Sequence, residues 1–370
     1  MKIDSIKLYN FRNYHQLTIS FHPHLNLIYG KNGAGKTNLV EAIYVLGLTR
    51  SFRLGGDKTL IALQSGMCKI EGNVTRKYTT NYQVLISKDG KKVLINHNKV
   101  AKLSDYIFKI PIILFHPDDL RFIKDTPSTR RKTINISISL LHLEYVRYLN
   151  EYNRILKQRN AYLKQMLLNG NSSSDYLDIL TDKLIDVGFK IYQMRQEFVQ
   201  YLNQYLSDFY QKITGLSDLE FVYVSSFQDI HKEEIRSLYQ EMLPKDLSFG
   251  KTNIGVHTDD FKFVIKGRDL KEYGSEGQQK NAIIAYKFSE MEIFKQLKDV
   301  YPILILDDLF SELDMEKIAN ILQFLKKDIQ TFITTTDLER FSFLTSFSYK
   351  QICISSGKVV EESEHERREC

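Results

Sequence analysis

The sequence predicts an α/β fold built on a parallel sheet and interrupted by a helical lobe. Three observations predict it. Near the start, the apolar run Leu25–Tyr29 ends at Gly30, and a helical pattern opens after Gly35-Lys36-Thr37. Toward the end, apolar runs at residues 303–306 and 330–335 bracket a helix over 314–327. Between these halves, residues 140–168 carry no Gly or Pro and repeat apolar side chains in alternating three-and-four steps.

Taken in order, residues 2–9 set Ile3, Ile6 and Leu8 among Lys2, Asp4 and Lys7, the pattern of a half-buried strand, and 16–21 predicts a second. The helix after Thr37 shows one apolar stripe, Leu39, Val40, Ile43 and Leu46. Residues 69–100 are strand-like, with a hairpin turn at 88–91 between 83–86 and 93–95. The character changes near Pro127. Tyr145, Leu149, Tyr152, Leu156, Leu163 and Met166 form a seam that only Arg159 breaks, and residues 169–175 read as a polar loop. A second seam follows from Leu177 through Leu184, Ile191 and Phe198 to Tyr205, so the two helices should fold back as an antiparallel hairpin. Beyond Pro244 come a strand at 260–265 and a helix at 278–297. Residues 1–126 and 244–360 therefore read as two halves of one α/β domain, 127–243 as the inserted lobe, and the charged tail 361–370 as disordered.

The 370 residues, 43% hydrophobic and 26% charged, suit an ordinary globular protein with one large domain and a smaller unit. No apolar run approaches the ~20 residues of a membrane helix. The opening Met1-Lys2-Ile3-Asp4 offers no signal-peptide core, so a cytoplasmic protein without a membrane partner is expected. Cys68, Cys353 and Cys370 are too few and scattered for a disulfide framework or zinc site. A net charge of +6 permits a nucleic-acid partner without demanding one, because a basic footprint works through local clustering.

Gly30-Lys31-Asn32-Gly33-Ala34-Gly35-Lys36-Thr37 matches the phosphate-binding pattern G-x-x-x-x-G-K-[ST] at every fixed position. A polyphosphate must lie against main-chain N–H groups at a helix start, so the loop must bend without Cβ clashes. Lys36 would reach the β- and γ-phosphates of ATP, and Thr37 would hold Mg²⁺. A ligand-free glycine turn is the competing reading; the preceding strand and following helix argue against it. Residues 302–308 add an apolar strand ending in Asp307 and Asp308. An open α/β sheet binds ligands at the carboxyl ends of its strands, which assigns Asp307 to Mg²⁺, directly or through water, and Asp308 to the attacking water. The bland alternative is that these acids merely cap the next helix.

At this point the chain resembles the ABC-type ATPases of DNA repair and chromosome maintenance. Tyr273-Gly274-Ser275-Glu276-Gly277-Gln278-Gln279 resembles their signature motif, and Ser311-Glu312-Leu313-Asp314 their D-loop. The resemblance implies an ABC-type P-loop ATPase head with an inserted helical-hairpin lobe. Ser275, Gly277 and Gln278 of one subunit would then close over ATP held by another. Within this class the RecF family is the most similar, from end to end. Phe11-Arg12-Asn13-Tyr14, the loop and helix around Lys36, Phe115-His116-Pro117-Asp118-Asp119-Leu120 and residues 330–336 all resemble its segments. There are departures. Gly255-Val256-His257-Thr258-Asp259-Asp260 stands where that family reads G-P-H-R-D-D. Arg130-Arg131-Lys132-Thr133-Ile134-Asn135 ends in Asn135 rather than Asp, and Lys280 replaces an arginine.

The resemblance implies a weak ATPase that acts as a switch in recombinational repair and the SOS response. It implies binding to gapped DNA at junctions of single and double strands, an ATP-dependent homodimer, the partners RecO and RecR, and help in loading the RecA recombinase. The alternative is another ABC-type ATPase, a chromosome-maintenance head or a transporter subunit. The short helical insertion fits neither, and Thr334, Thr335 and Thr336 occupy the place where transporters keep a switch histidine. Candidate DNA contacts are Arg50 and Arg53, which also suit nucleotide or a partner subunit, and the run Arg130, Arg131 and Lys132. Against each stands a solvated basic face. His257 with Asp259 and Asp260 reads as a strand-entry turn rather than a metal site, since further ligands at suitable spacing are missing.

Overall fold

Alternation of apolar and polar residues sends the first hundred residues into strands. The structure, a computed structural model, describes residues 1–53, 55–169, 174–326, 328–341, 344 and 348–366. Its early strands are β1 (Lys2–Phe11), β2 (Tyr14–Ser20), β3 (Leu25–Tyr29), β4 (Met67–Thr75), β5 (Thr79–Ser87), β6 (Gly90–Ile95), β7 (Asn98–Lys99) and β8 (Ile112–Phe115). The later ones are β9 (Leu219–Val224), β10 (Asp260–Ile265), β11 (Arg268–Asp269), β12 (Ile303–Asp307), β13 (Thr331–Thr335), β14 (Tyr349–Ser355) and β15 (Lys358–His365).

The chain divides into two compact units. The first comprises Met1–Asp119, Lys212–Gly215 and Lys287–Cys370; the second comprises Leu120–Gln211 and Leu216–Tyr286. In the first unit an antiparallel sheet has the order β2-β1-β4-β5-β6-β7, and a second sheet the order β15-β14-β3-β13-β12-β8. In the second sheet β14, β3, β13, β12 and β8 run parallel, and only β15 is antiparallel to its neighbour. The helix Lys36–Leu48 packs against strands of both sheets. That position buries Ala42, Tyr44, Val45 and Leu48 as well as the expected stripe. A one-faced reading was too narrow for a helix covered on two sides.

Several expectations need correction. Strands β8, β14 and β15 were not anticipated, and β15 occupies much of the tail expected to be disordered. Backbone pairing to β14 orders it despite its charge. Residues 367–370 of that expectation lie outside the described residues. The helix expected over 314–327 is confined to Met315–Leu322 because three-residue turns, Phe324 N–H to Ile321 O and Leu325 N–H to Leu322 O, tighten its end.

In the second unit the helix Pro127–Leu141 starts at the proline, where a missing N–H costs nothing. The helices Leu143–Asn169 and Ser174–Thr214 are antiparallel: Tyr162 meets Tyr176, Arg159 meets Thr181, and Tyr145 meets Arg195. Most of the intervening polar loop, 170–173, lies outside the described residues. Strands β11-β10-β9 form a small sheet whose Phe221, Phe261 and Phe263 cluster with Phe122 and Tyr286.

The compact units change over at 120 and 287, against the 127 and 244 read from the sequence, and ion pairs tie part of the 244–286 segment to the helices. Arg159, the residue that broke the seam, donates to Asp246 and Thr252, both at 2.7 Å. Arg195 donates to Asp259 Oδ2 at 2.7 Å, and Arg130 makes a two-pronged pair with Asp260 at 2.6 and 2.8 Å. These pairs tie residues 246–260 to the helices of the second unit.

Candidate functional site

Strand order decides which residues can meet. β3, β13 and β12 lie side by side and parallel, so their carboxyl ends share one edge of the sheet. β3 delivers the glycine-rich loop, β12 delivers Asp307, and β13 places Thr334 opposite Asp307. The site is thus assembled by register as much as by motif.

The loop is bent as its glycines allow. Gly30 and Gly35 have φ of 151° and 118°. A Cβ on Gly30 would lie 2.2 Å from Ile354 O, and one on Gly35 would lie 2.7 Å from Asn13 Nδ2. Any side chain there would push the loop off its bed. That bed is the β1–β2 turn and the β14–β15 turn: Tyr14 OH donates to Gly35 O at 3.0 Å, and Gly357 N–H donates to Ala34 O at 2.9 Å. Asn38 Nδ2 donates to Asn13 Oδ1 at 2.7 Å. Lys31, Asn32 and Gly33 are exposed at the loop's crest, whereas Ala34, Gly35 and Lys36 are buried. No side chain caps the helix that follows, so its first turn presents backbone N–H groups and the positive end of its dipole.

Lys36 folds along the loop, Nζ donating to Gly30 O at 2.7 Å and to Lys31 O at 3.1 Å. Burial lowers its pKa, opposed by Asp308 and Asp307. Asp307 Oδ1 accepts from Thr37 Oγ1 at 3.2 Å and from Thr334 Oγ1 at 2.7 Å. Thr334 Oγ1 in turn accepts the Asp308 N–H at 2.9 Å. His116, just past β8, brings Nε2 to 3.6 Å from Asp307 Oδ2. Burial pushes the Asp307 carboxyl up; Thr334, His116, Thr37 and Arg53 pull the other way without cancelling it.

That upward shift predicts a pH dependence. Between the ordinary Asp value of 3.8 and the raised folded value, the folded chain keeps a proton that the unfolded chain has released. Stability contributed by this group therefore falls as pH climbs through that window and stays low above it. In metal-free buffer at neutral pH, Asp307→Asn is expected to raise the thermal midpoint and to flatten its decline with rising pH. Parallel midpoint–pH profiles for parent and variant would refute this.

Glu41, fully buried on the same helix, organises the basic residues nearby. Its carboxylate takes two bonds from Arg12 at 2.7 and 2.9 Å and one from Ser51 at 2.5 Å, with Arg53 at 3.6 Å. Arg53 also donates to Asn38 Oδ1 at 2.8 Å. A candidate DNA contact is thus engaged beside the glycine-rich loop.

Ser275, Gly277 and Gln278 lie in the second unit at the start of the helix Glu276–Lys298. Ser275 N–H donates to Gln278 Oε1 at 2.9 Å and Gln278 N–H to Ser275 Oγ at 3.2 Å, a reciprocal cap that fixes the turn. Ser275 and Gly277 are exposed. Also in that unit, Arg130 is 7% exposed and pairs with Asp260, so it serves the interior, whereas Arg131 is half-buried and donates to Asp259 O at 2.6 Å. Lys132 stays exposed. His257 meets Tyr152 OH at 2.8 Å and Thr252 O at 3.1 Å, and burial lowers its pKa, so it serves the turn. Among the described residues no cluster of His, Cys, Asp and Glu forms a metal cage.

With this geometry in view, comparisons with known proteins are decisive. Residues 2–349 match the family described as the RecF/RecN/SMC N terminal domain. The DNA replication and repair protein RecF of Ligilactobacillus salivarius (strain UCC118) is 35% identical over 98% of each chain. The chain belongs to the RecF family. The RecF of Streptococcus agalactiae serotype Ia is 39% identical, covering 97% of this chain and 98% of that one. A solved structure of the recombination mediator protein RecF with ATP, in the RecFOR pathway, superposes with a TM-score of 0.89 at 31% identity, covering 98% of this chain and 97% of the other. The fold is the ABC-type ATPase head of the RecF class. No helix among the described residues is long and apolar enough to cross a membrane. The RecF resemblance pointed to His116 and Thr334 only as parts of longer segments; their place around Asp307 comes from β8 and β13 lying beside β12.

Proposed function

We propose that this chain binds ATP with magnesium at Gly30–Thr37, Asp307 and Asp308, pairs with a second copy through Ser275 and Gly277, and uses that switch on gapped DNA in recombinational repair. The observation that carries this reading is the meeting of Thr37 and Asp307, 270 residues apart in sequence, at the mouth of a bent loop that opens an uncapped helix. The residues suit the ligand. Backbone N–H groups and Lys36 fit a polyphosphate, and the hydroxyl of Thr37 with the carboxylate of Asp307 forms a hard oxygen donor pair of the kind magnesium prefers.

Magnesium, when bound, neutralises charge on the phosphate oxygens. The chain does the rest. Lys36 exchanges loop carbonyls for phosphate oxygens, Asp307 stays oriented by two hydroxyls, and Asp308 receives the proton of an attacking water. Slow hydrolysis suits a switch, and RecR and RecO are the proposed protein partners, in keeping with the RecFOR pathway of the solved relative.

The test is sizing in solution with ATP and magnesium, alongside DNA affinity with and without nucleotide. The parent should dimerise and bind gapped DNA more tightly with ATP. Lys36→Met and Ser275→Arg should both stay monomeric, Lys36→Met through lost nucleotide affinity and Ser275→Arg with affinity kept. Dimers of undiminished stability in Ser275→Arg would overturn the shared-site reading.

A further inference from the structure

We infer that His116 is a positioning residue for the magnesium-binding carboxylate, holding Asp307 from the side that the threonines leave open. The inference rests on the ATP–magnesium reading above and deepens it.

Asp307 Oδ1 is already taken by two hydroxyls, from Thr37 and Thr334. Those two donors fix one oxygen only, and a carboxylate gripped at one oxygen still swings about that point. His116 supplies the restraint on the other. β8 pairs with β12 in register, Phe115 opposite Leu306, so His116, one past the end of β8, emerges beside Asp307, the last residue of β12. That register brings His116 Nε2 to 3.6 Å from Asp307 Oδ2, just beyond hydrogen-bond length, so that a small movement of the carboxylate would close the contact.

The ring is held for this purpose at two further points. Asp118 N–H donates to Nδ1 at 3.1 Å, which assigns the proton of a neutral ring to Nε2, facing Asp307. The ring also rests against Phe52 at 5.0 Å, and Phe52 packs edge-on at 5.3 Å against Tyr44 of the helix that carries Lys36 and Thr37. The histidine thus ties the strand that delivers the carboxylate to the helix that delivers the hydroxyl. Partners that orient a metal ligand tune the affinity for the metal.

The experiment uses the full chain and titrates magnesium into protein plus ATP by calorimetry, with a parallel measurement of ATP affinity in EDTA. His116→Ala should raise the magnesium concentration for half-maximal binding by about 10-fold or more. Its ATP affinity in EDTA should stay near that of the parent. His116→Gln, which keeps an N–H donor of similar reach, should recover most of the magnesium response. An unchanged magnesium midpoint in His116→Ala, or an equal loss in EDTA, overturns the inference while leaving the nucleotide reading intact. Failure of His116→Gln to recover more than His116→Ala also overturns it. A parent that takes up no ATP with magnesium defeats both.

Discussion

Arg195→Ala is expected to destabilise the helical unit by about 3–5 kcal/mol, the usual penalty for removing one partner of a buried ion pair. Arg195 and Asp259 have side-chain exposures of 2% and 0%, so the carboxylate left behind has no access to water. The guanidinium also donates to Tyr145 OH at 3.0 Å, to Val256 O at 2.7 Å and to Asn135 Oδ1 at 3.1 Å. Burial pushes the Arg195 pKa down, and Tyr145, Tyr223 and Asp259 more than reverse it, so the arginine stays charged. Tyr223 OH also donates to Asp259 Oδ2, but a single hydroxyl cannot neutralise the acid. Asp259 Oδ1 has no hydrogen-bond partner among the described residues, which leaves the acid still more dependent on its arginine. Urea denaturation read through amide exchange in the two long helices would measure the loss. A cost below about 1 kcal/mol would show the pair to be dispensable. Adding Asp259→Asn to the variant should recover part of the loss, because the orphaned charge goes with it.

The same arginines show where sequence reading stops. A seam of apolar residues at helical spacing is a local property, so the hairpin was legible, and Arg159 was visible as its one interruption. What Arg159 does was not legible, because its acid, Asp246, lies 87 residues on. Arg130 and Arg131 looked like a phosphate-binding run for the same reason: their partners Asp260 and Asp259 are more than a hundred residues away. The departure at Asn135 has an account here, since its Oδ1 accepts from Tyr145 OH at 2.6 Å and from Arg195. Nothing in the structure explains the substitution at Val256.

The glycine loop and the strand before Asp307 were legible for a different reason. Backbone bending and a wholly apolar strand are dictated by the residues that show them. Thr334 and His116 were not legible as partners of Asp307, because their roles depend on which strands lie beside β12. β15 was misread because its acids suggested a solvated tail, whereas the backbone of β14 supplies its order.

Asp308 marks the point at which motif and geometry together make the sharpest functional expectation. A bland reading had the two acids at the end of β12 capping the next helix. Asp308 does occupy the cap position of a short helical turn, yet its side chain makes no capping bond. Its backbone is in the left-handed region, φ 51° and ψ 25°, a conformation that aspartate and asparagine adopt more readily than most residues. The side chain is exposed next in sequence to Asp307, and its charge acts on Lys36 of the glycine-rich loop. Asp308→Asn should therefore lower single-turnover hydrolysis by about 10²- to 10⁴-fold, the range for losing a general base. Asparagine tolerates the left-handed conformation, so the fold and ATP uptake should survive. The expected consequence is a dimer that forms with ATP and fails to come apart. Hydrolysis at the parent rate would remove Asp308 from the mechanism, and loss of ATP binding would show that its charge serves uptake rather than chemistry.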